Sequence, residues 1–530
     1  MNSSTSNLKP PPKKNGERHT LSPQHELRLE VPSQTNVSVT LISGSAEIFG
    51  AELATFTSDP LKQTYLIAGH SKFAIFTWHG CTVDIDVEFG KEVEISYTSD
   101  ETVANVAFVN THAQLEAMRD EALMNATSGN GKSTDGPRVL VVGPADCGKT
   151  SLVKLLTSYA VKLGRTPLLV DLDTSQNMLC APGTIAASPI TPDSISPLTN
   201  ASSSSLYPNT TPLVLWNGST DLSTNPDLYK AQLDKLGQCI DERNHINDEN
   251  PAEPEQQHIL DARSSGIIVN GCGWIEDIGY KLMLHTVKAL RINIILVMGH
   301  DRLYSMLNSH YNKMREAEMD VDMADILNEE TVIPKVIKLP RSGGVVTRDA
   351  TFRRVSRSQC IKRYFYGESI RNPNSAAVMS NSNPMMPIAG SDPNEKVLDV
   401  ICPPSTTLIH QYTPTRLEIP FSDLTLYKLS NVSLSSSMLP VSAKQATDPV
   451  QLTPMNITAT LKHSLLAVCH PNAAEQYDNS GEARDLYLSG ISGLVTVDKV
   501  DVDREIISLL SPGGSLPSSI LLVGDVTWME

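Results

Sequence analysis

Residues 138–173 constrain this chain more than any other stretch. Val139-Leu140-Val141-Val142 is an apolar run long enough for a buried parallel strand, and Gly143-Pro144-Ala145-Asp146-Cys147-Gly148-Lys149-Thr150 follows it directly. A GxxxxGK[ST] segment between a strand and a helix is a phosphate-binding loop. Leu152, Leu155, Leu156, Tyr159 and Leu163 recur at helical spacing, which predicts a helix over Ser151–Leu163 that Gly164 stops. A second apolar run, Leu168–Leu172, carries Asp171 and Asp173 at its end. Gly148 lets the backbone curl so that successive N–H groups converge on a polyphosphate, and the helix adds its positive N-terminal end. Lys149 is placed to reach the β- and γ-phosphates, and the Thr150 hydroxyl to take one Mg²⁺ position. The pattern therefore reads as a nucleoside-triphosphate site.

The rest of the composition bounds the class. A length of 530 residues allows two to four domains, and a 40% hydrophobic content suffices for their cores. No run of 18 or more apolar residues occurs, and the start MNSSTSNLKPPPKKNGERH lacks an apolar signal region, so neither a membrane span nor a secretory signal is expected. The eight cysteines are scattered without a CxxC pair, which argues against a zinc site or disulfide frame and for a reducing compartment. Cys147 reads as a tolerated loop residue, not a nucleophile. A net charge of −16 is wrong for unspecific coating of nucleic acid, so any RNA contact should run through a local basic patch or through partners.

Composition along the chain predicts a polar tail over 1–20 and a β-sandwich-like domain over 21–112, on alternations such as Leu27/Leu29/Val31 and Val83/Ile85/Val87. A phosphate-loop domain over 113–370 should carry a parallel sheet. Its strand candidates are Leu213–Trp216, Ile267–Asn270, Ile294–Met298 and Val336–Leu339. Its helix candidates are Tyr229–Arg243, Tyr280–Leu290 and Arg302–Lys313, and a further helical stretch is Thr111–Asn125. A polar linker over 371–395 and a β-rich C-terminal domain over 396–530 complete an α/β chain with β-rich flanks. Ser188–Pro212, Glu316–Glu330 and Asn372–Asn394 read as solvated loops.

Three constellations bear on chemistry. Asp171 and Asp173 can hold Mg²⁺ through water or take a proton from an attacking hydroxyl; the alternative is a solvated loop acid. The glycines Gly343-Gly344 precede Arg348, Arg353, Arg354 and Arg357, a segment suited to stabilising a migrating phosphoryl group, or else a basic exposed helix. Trp274, after Asn270-Gly271-Cys272-Gly273, can stack a base or simply pack. His300 and Asp301 read as loop residues.

In this order the motifs resemble the Clp family, the polynucleotide 5′-hydroxyl-kinase-like subunit of the mRNA cleavage and polyadenylation machinery. The resemblance rests on Glu26–Val31, Ala46–Leu53, Phe76–Cys81, Gly143–Thr150, Asp171-Leu172-Asp173, Pro182-Gly183-Thr184, Cys272-Gly273-Trp274, Ser342–Val346, Phe352-Arg353-Arg354 and Tyr364–Gly367. It implies that the β-rich N-terminal domain folds over ATP, with Glu26 and Lys72 holding the nucleotide from that side. Asp146, Cys147, Gly148, Lys149, Thr150 and Ser151 would bind phosphates, with Thr150 and Asp173 at Mg²⁺. Asp173 matches the acid that activates the 5′-hydroxyl, Trp274 an RNA-clasp tryptophan, and Arg348 and Arg353 the lid arginines. One departure is Gly271, where active relatives carry a Thr; the polar insertions resemble those of fungal members.

The resemblance implies a nuclear, ATP-stapled scaffold within cleavage factor IA. It would dock the large subunit that contacts the RNA polymerase II C-terminal domain and meet RNA mainly through the complex. The alternative is an active RNA 5′-hydroxyl kinase with Asp173, Lys149, Arg348 and Arg353 as its working residues. A related kinase of ribosomal RNA processing shares the central domain, but the Glu26 and Trp78 neighbourhoods argue against it.

Overall fold

The computed structural model describes residues 16–33, 35–54, 64–87, 95–128, 133–204, 206–244, 254–319, 332–367, 369–371, 408–410, 412–431 and 450–529. The linker expected over 371–395 and the acidic stretch beyond Met319 lie almost wholly outside these residues.

The N-terminal part is a two-sheet sandwich. Its strands are β1 (Gly16–Leu21), β2 (His25–Val31), β3 (Val37–Gly44), β4 (Glu47–Ile48), β5 (Ala51–Glu52), β6 (Thr64–Ile67), β7 (Ser71–Thr77), β8 (Cys81–Val87) and β9 (Ile95–Ser99). They pair in the orders β1-β8-β3-β6 and β5-β4-β7-β2-β9. Alternation sorts the side chains: Val37, Val39, Leu41, Val83 and Ile85 fill the core between the sheets with Leu27, Leu29 and Val31. The same two-residue period turns Glu26, Arg28 and Glu30 of β2 to the opposite face. The first strand opens at Gly16, paired with β8 from Gly16↔Asp86 onward, which corrects the reading of 1–20 as a tail.

Helix α1 (Val103–Ser128) leads into the central domain and is longer than Thr111–Asn125. Beyond it lie β10 (Arg138–Val142), α2 (Lys149–Lys162), β11 (Leu168–Asp171), β12 (Thr184–Pro189), α3 (Pro197–Ala201), β13 (Leu213–Trp216) and α4 (Pro226–Asn244). There follow α5 (Pro254–Ser265), β14 (Ile267–Asn270), α6 (Ile278–Ala289), β15 (Ile294–Met298), α7 (Asp301–Met319), β16 (Lys335–Leu339) and α8 (Ala350–Tyr366). The sheet order is β13-β12-β11-β14-β10-β15-β16. Strands β11, β14, β10, β15 and β16 are parallel, whereas β12 runs antiparallel to β11 and β13. Every residue of β10 is buried, as a strand covered on both faces requires. The phosphate loop leaves β10 between β14 and β15, at the carboxyl ends of the parallel strands, where open α/β sheets bind ligands.

Ser188–Pro212 is not a solvated loop. It begins in β12 and contains α3, and its Ser194, Thr199, Asn200 and Ser202 are buried. Its composition misled because its hydroxyls and amides are used as internal hydrogen-bonding groups.

The C-terminal domain is a mixed seven-stranded sheet of β19 (Thr415–Pro420), β20 (Thr425–Asn431), β21 (Val450–Met455), β22 (Ser464–Cys469), β23 (Ile491–Asp501), β24 (Ile506–Ser511) and β25 (Ile520–Thr527), after a small pair β17 (Ser369–Arg371) and β18 (Leu408–His410). Strands β20 and β25 are parallel, and the remaining pairs are antiparallel. It shares a core with the central domain, where Trp528 stacks on Phe365 of α8 at 5.6 Å. Among the described residues, no helix is long and apolar enough to cross a membrane.

Candidate functional site

The phosphate loop has the backbone its glycines foreshadow. Gly148 takes φ 95° and Asp146 φ 55°, so the loop turns through left-handed positions before α2 begins at Lys149. The Lys149 ammonium is buried and donates to the carbonyls of Gly143 (3.0 Å) and Pro144 (2.8 Å). Thr150 and Ser151, in the first turn of α2, line the same cavity. Cys147 is buried, and burial pushes its thiol up, which makes it a poor nucleophile.

The two acids after β11 separate into different jobs. Asp171 is 0% exposed. Its carboxylate accepts from the backbone N–H of Met178 (2.7 Å) and of Asp173 (3.1 Å), and from Asn270 Nδ2 (3.0 Å). Burial, and then the nearby Asp173 charge, push it up to about 7. Asp171 thus ties β11 to β14 and shapes the loop that follows. Asp173 faces the cavity, held by the backbone N–H of Ser175 (2.9 Å) onto its Oδ1.

That cavity measures 570 Å³, within the range that holds a nucleotide-sized ligand, and both domains wall it. From the N-terminal side come Glu26, Arg28, Lys72 and Tyr97; from the central side come 145–152, Asp173–Gln176 and Cys272–Trp274. Glu26 is 4% exposed and bonded to Arg28 Nε at 2.6 Å, with its carboxyl pushed up mainly by burial. Arg28 Nη1 also donates to the Tyr97 hydroxyl at 3.2 Å. Lys72 pairs with Glu30 at 2.6 Å across the β2–β7 ladder and lies 5.3 Å from the centre of the Phe352 ring. Glu26 and Lys72 therefore share the cavity wall but take different partners. Beside the cavity, Tyr159 of α2 donates to Glu47 Oε1 at 2.5 Å, and burial pushes Glu47 up to about 7.

The glycine- and arginine-rich segment closes the third side. Asp146 Oδ2 accepts from the Arg348 backbone N–H (3.1 Å) and from Arg353 Nη2 (2.6 Å). Arg348 reaches Gln176 Oε1 at 3.4 Å, and burial lowers its pKa. His70 of the sandwich stacks on Phe352 at 3.8 Å, and its Nε2 bonds the Phe352 carbonyl at 2.8 Å. The segment is thus a lid bound to both the phosphate loop and the N-terminal domain, not a free basic helix. An added Cβ at Gly344 would stand 2.9 Å from Arg28 Nε, which shows how closely the lid backbone approaches the sandwich.

Trp274 is half-buried: it lines the cavity and packs against the core beneath β14. A Cβ on Gly271 would lie 2.7 Å from the Val141 carbonyl, so any side chain there needs a backbone shift as well as room. His300 caps α7 by accepting from the Leu303 N–H at 3.0 Å, a local role. Sequence reading missed Arg28, Glu47 and His70. The charged alternate face of β2 was a visible signal for Arg28; His70 carried none.

Three family profiles match in chain order: the N-terminal beta-sandwich domain of polyadenylation factor over 20–122, the mRNA cleavage and polyadenylation factor CLP1 P-loop over 143–322, and the pre-mRNA cleavage complex II protein Clp1 over 412–530. The Protein CLP1 homolog of Arabidopsis thaliana is 32% identical over 513 residues, covering 96% of this chain and 94% of that protein. The Polyribonucleotide 5′-hydroxyl-kinase Clp1 of Danio rerio is 30% identical over 516 residues, covering 97% and 94%. A solved wild-type Clp1p–Pcf11p complex superposes with a TM-score of 0.68 at 22% identity, covering 98% of this chain and 99% of that one. A second, described by an extended Pcf11p–Clp1p interface and the structural basis for ATP loss in a point mutant, gives 0.69 at 22% identity, covering 98% and 100%. At that identity the solved structures speak to the fold.

Proposed function

The chain belongs to the Clp1 family of mRNA cleavage and polyadenylation factors, and from that premise we propose that it is the ATP-binding subunit of a nuclear pre-mRNA cleavage factor, a scaffold stapled by its nucleotide. The observation that carries this reading is the 570 Å³ cavity walled jointly by the sandwich, the phosphate loop and the lid. A ligand held there bridges the domains, and ligand that binds only the folded state stabilises it by mass action.

In this reading Lys149 leaves its loop carbonyls for the β- and γ-phosphate oxygens, and the N–H groups of 146–151 close around them. Glu26, Arg28 and Tyr97 bound the opposite end, where the base fits. Thr150 and Asp173 present hard oxygen donors to the same space, which suits Mg²⁺; that ion would supply charge neutralisation at the phosphates. The partner is the large subunit of cleavage factor IA, since the superposed relatives are solved with Pcf11p. RNA is met mainly through that complex.

A second reading is favoured by one feature: Asp173, Lys149, Arg348 and Arg353 line the same cavity. In an RNA 5′-hydroxyl kinase, Asp173 would take the hydroxyl proton as its oxygen bonds the γ-phosphorus and ADP departs. Lys149, Arg348 and Arg353 would hold the charge.

The deciding experiment is transfer of labelled γ-phosphate from ATP to a 5′-hydroxyl RNA oligonucleotide, run with assay of ATP in the purified protein. Retained ATP without transfer supports the scaffold. Transfer that disappears in Asp173→Ala supports the kinase and overturns the scaffold-only reading. Protein that neither retains nor binds ATP overturns both.

A further inference from the structure

The segment Ser196–Ser204, which nothing above connects to the nucleotide, touches every body that walls the cavity. Toward the sandwich, Asn200 Nδ2 donates to the backbone carbonyls of Phe49 (2.9 Å) and Ile48 (3.3 Å), at the β4–β5 turn. Ala201 belongs to the sandwich core, not to the central one. Toward the phosphate-loop helix, Asn200 also meets Ser158 Oγ at 3.0 Å. Lys154 of the same helix gives its ammonium to the carbonyls of Thr199 (3.1 Å), Asn200 (3.2 Å) and Ser202 (2.9 Å). Toward α8, the helix that continues the lid, Arg363 donates to the hydroxyls of Ser202 (2.8 Å) and Ser204, and Ser204 to Gln359 Oε1 at 3.2 Å.

Three further observations make these contacts more than loop anchoring. Asn200 is 1% exposed and Lys154 5% exposed, so each hydrogen bond is made away from water, where an unmade one is expensive. Lys154 takes three carbonyls and makes no ion pair among the described contacts; burial and the charges of Arg348 and Arg363 push its ammonium down to about 7. A buried amine bonded to three carbonyls of one short segment ties that segment to α2. The approach is also sterically tight: a Cβ on Gly50 would lie 2.9 Å from Ser158 Cβ.

We infer that Ser196–Ser204 is a clasp that sets the spacing between the sandwich, α2 and the lid helix, with Asn200 and Lys154 as positioning residues for nucleotide retention. It rests on the ATP-binding reading. Asn200 bridges the β4–β5 edge and α2, two elements packed against the cavity, so their separation would break its bonds. None of residues 196–204 lines the cavity; the clasp acts by keeping the walls together while the nucleotide is inside. Its polar composition follows from this task, since a short segment contacting three bodies has to offer carbonyls, hydroxyls and amides, not apolar surface.

The test is Asn200→Asp in the full chain, which keeps the shape but turns an acceptor toward two carbonyls. Arg363→Gln is a milder second variant that leaves Asn200 and Lys154 in place. Dissociation of bound ATP is timed by displacement with excess unlabelled ATP, and amide exchange is followed at 47–52 and in β10, β14 and β15. Loss of two buried hydrogen bonds predicts dissociation about tenfold faster in Asn200→Asp. Exchange should rise at 47–52 while the central strands stay protected. A purely structural residue would loosen the central strands equally, and that result, or unchanged release in both variants, overturns the inference. If wild type holds no ATP, the function proposed above fails, and the exchange pattern by itself still decides whether the clasp binds the sandwich edge to α2.

Discussion

The phosphate loop and the lid both serve the same cavity, and they are built on opposite principles. The loop is made by its own eight residues. Glycines permit the left-handed turns, the buried strand β10 fixes where it starts, and α2 fixes where it ends. The lid over 341–353 has bonds of its own, such as Arg341 to the Val345 carbonyl at 3.0 Å and Phe352 N–H to Asp349 at 2.6 Å, but these shape its turns without placing it over the cavity. Its position is set by Asp146 on the loop, by Phe352 against His70, and by the close approach of Gly344 to Arg28. A local motif survives loss of distant contacts; a segment held from outside should be the first to move when one holder is removed.

That contrast can be broken or sharpened in four steps. The largest effect is expected from Lys149→Ala, which in the proposed site would delete a charge-assisted contact to two phosphates; ATP affinity in equilibrium binding should fall about a thousandfold. Retention of wild-type affinity would show that the loop backbone suffices without its lysine. Next, Asp171→Ala strips the acceptor from three donors in a fully buried site, and chemical denaturation should register about 3 kcal/mol of destabilisation. Asp173→Ala, by contrast, should cost about 1 kcal/mol or less, because its carboxylate serves only its own turn. Equal losses would erase the division of labour between the two acids.

The third effect is on pH. Burial raises Glu47 from 4.5 to about 7, so the folded state binds its proton more tightly than the unfolded chain. The associated stability is whole below pH 4.5 and is lost as pH rises through about 7, an effect of about 3 kcal/mol at most. Glu47→Gln should flatten that slope in denaturation curves taken across this window, and an unchanged slope would place the proton elsewhere. The smallest effect is Asp146→Asn. Losing the partly buried pair with Arg353 should cost about 1 kcal/mol. Hydrogen exchange over 341–349 should quicken while β10 keeps its protection; a lid as protected as before would mean that His70 and Arg28 hold it without Asp146.

Legibility followed the range of the interaction. Strands β13, β14 and β15 begin and end at the predicted residues, because a fully buried strand writes a continuous apolar run. Strand β12 was not foreseen, since Thr184–Pro189 carries a single large apolar residue, Ile185, and its burial comes from β11 and β13 on either side. At the site, Gly148, Lys149 and Asp173 were readable from spacing. Glu26 and Lys72 needed the family resemblance; Arg28 stands two residues from Glu26 on the same face of β2, whereas Glu30 met Lys72 only when β2 was paired with β7. Ser196–Ser204 was read as solvent-facing for the same reason: a serine or asparagine looks alike in sequence whether water or a buried carbonyl is its partner.

By itself, then, the sequence determined that this chain carries a phosphate loop on a parallel sheet with β-rich flanks, and that an acid stands one strand away. Periodicity and a contiguous motif are local properties, and local backbone geometry enforces them. Only the tertiary structure decided that Asp173 and not Asp171 faces the cavity, that the arginine segment is a lid bound to Asp146 and His70, and that a polar insertion joins three bodies. Those outcomes depend on which surfaces meet across hundreds of residues, and the energy of a buried polar contact exists only once its partner has arrived.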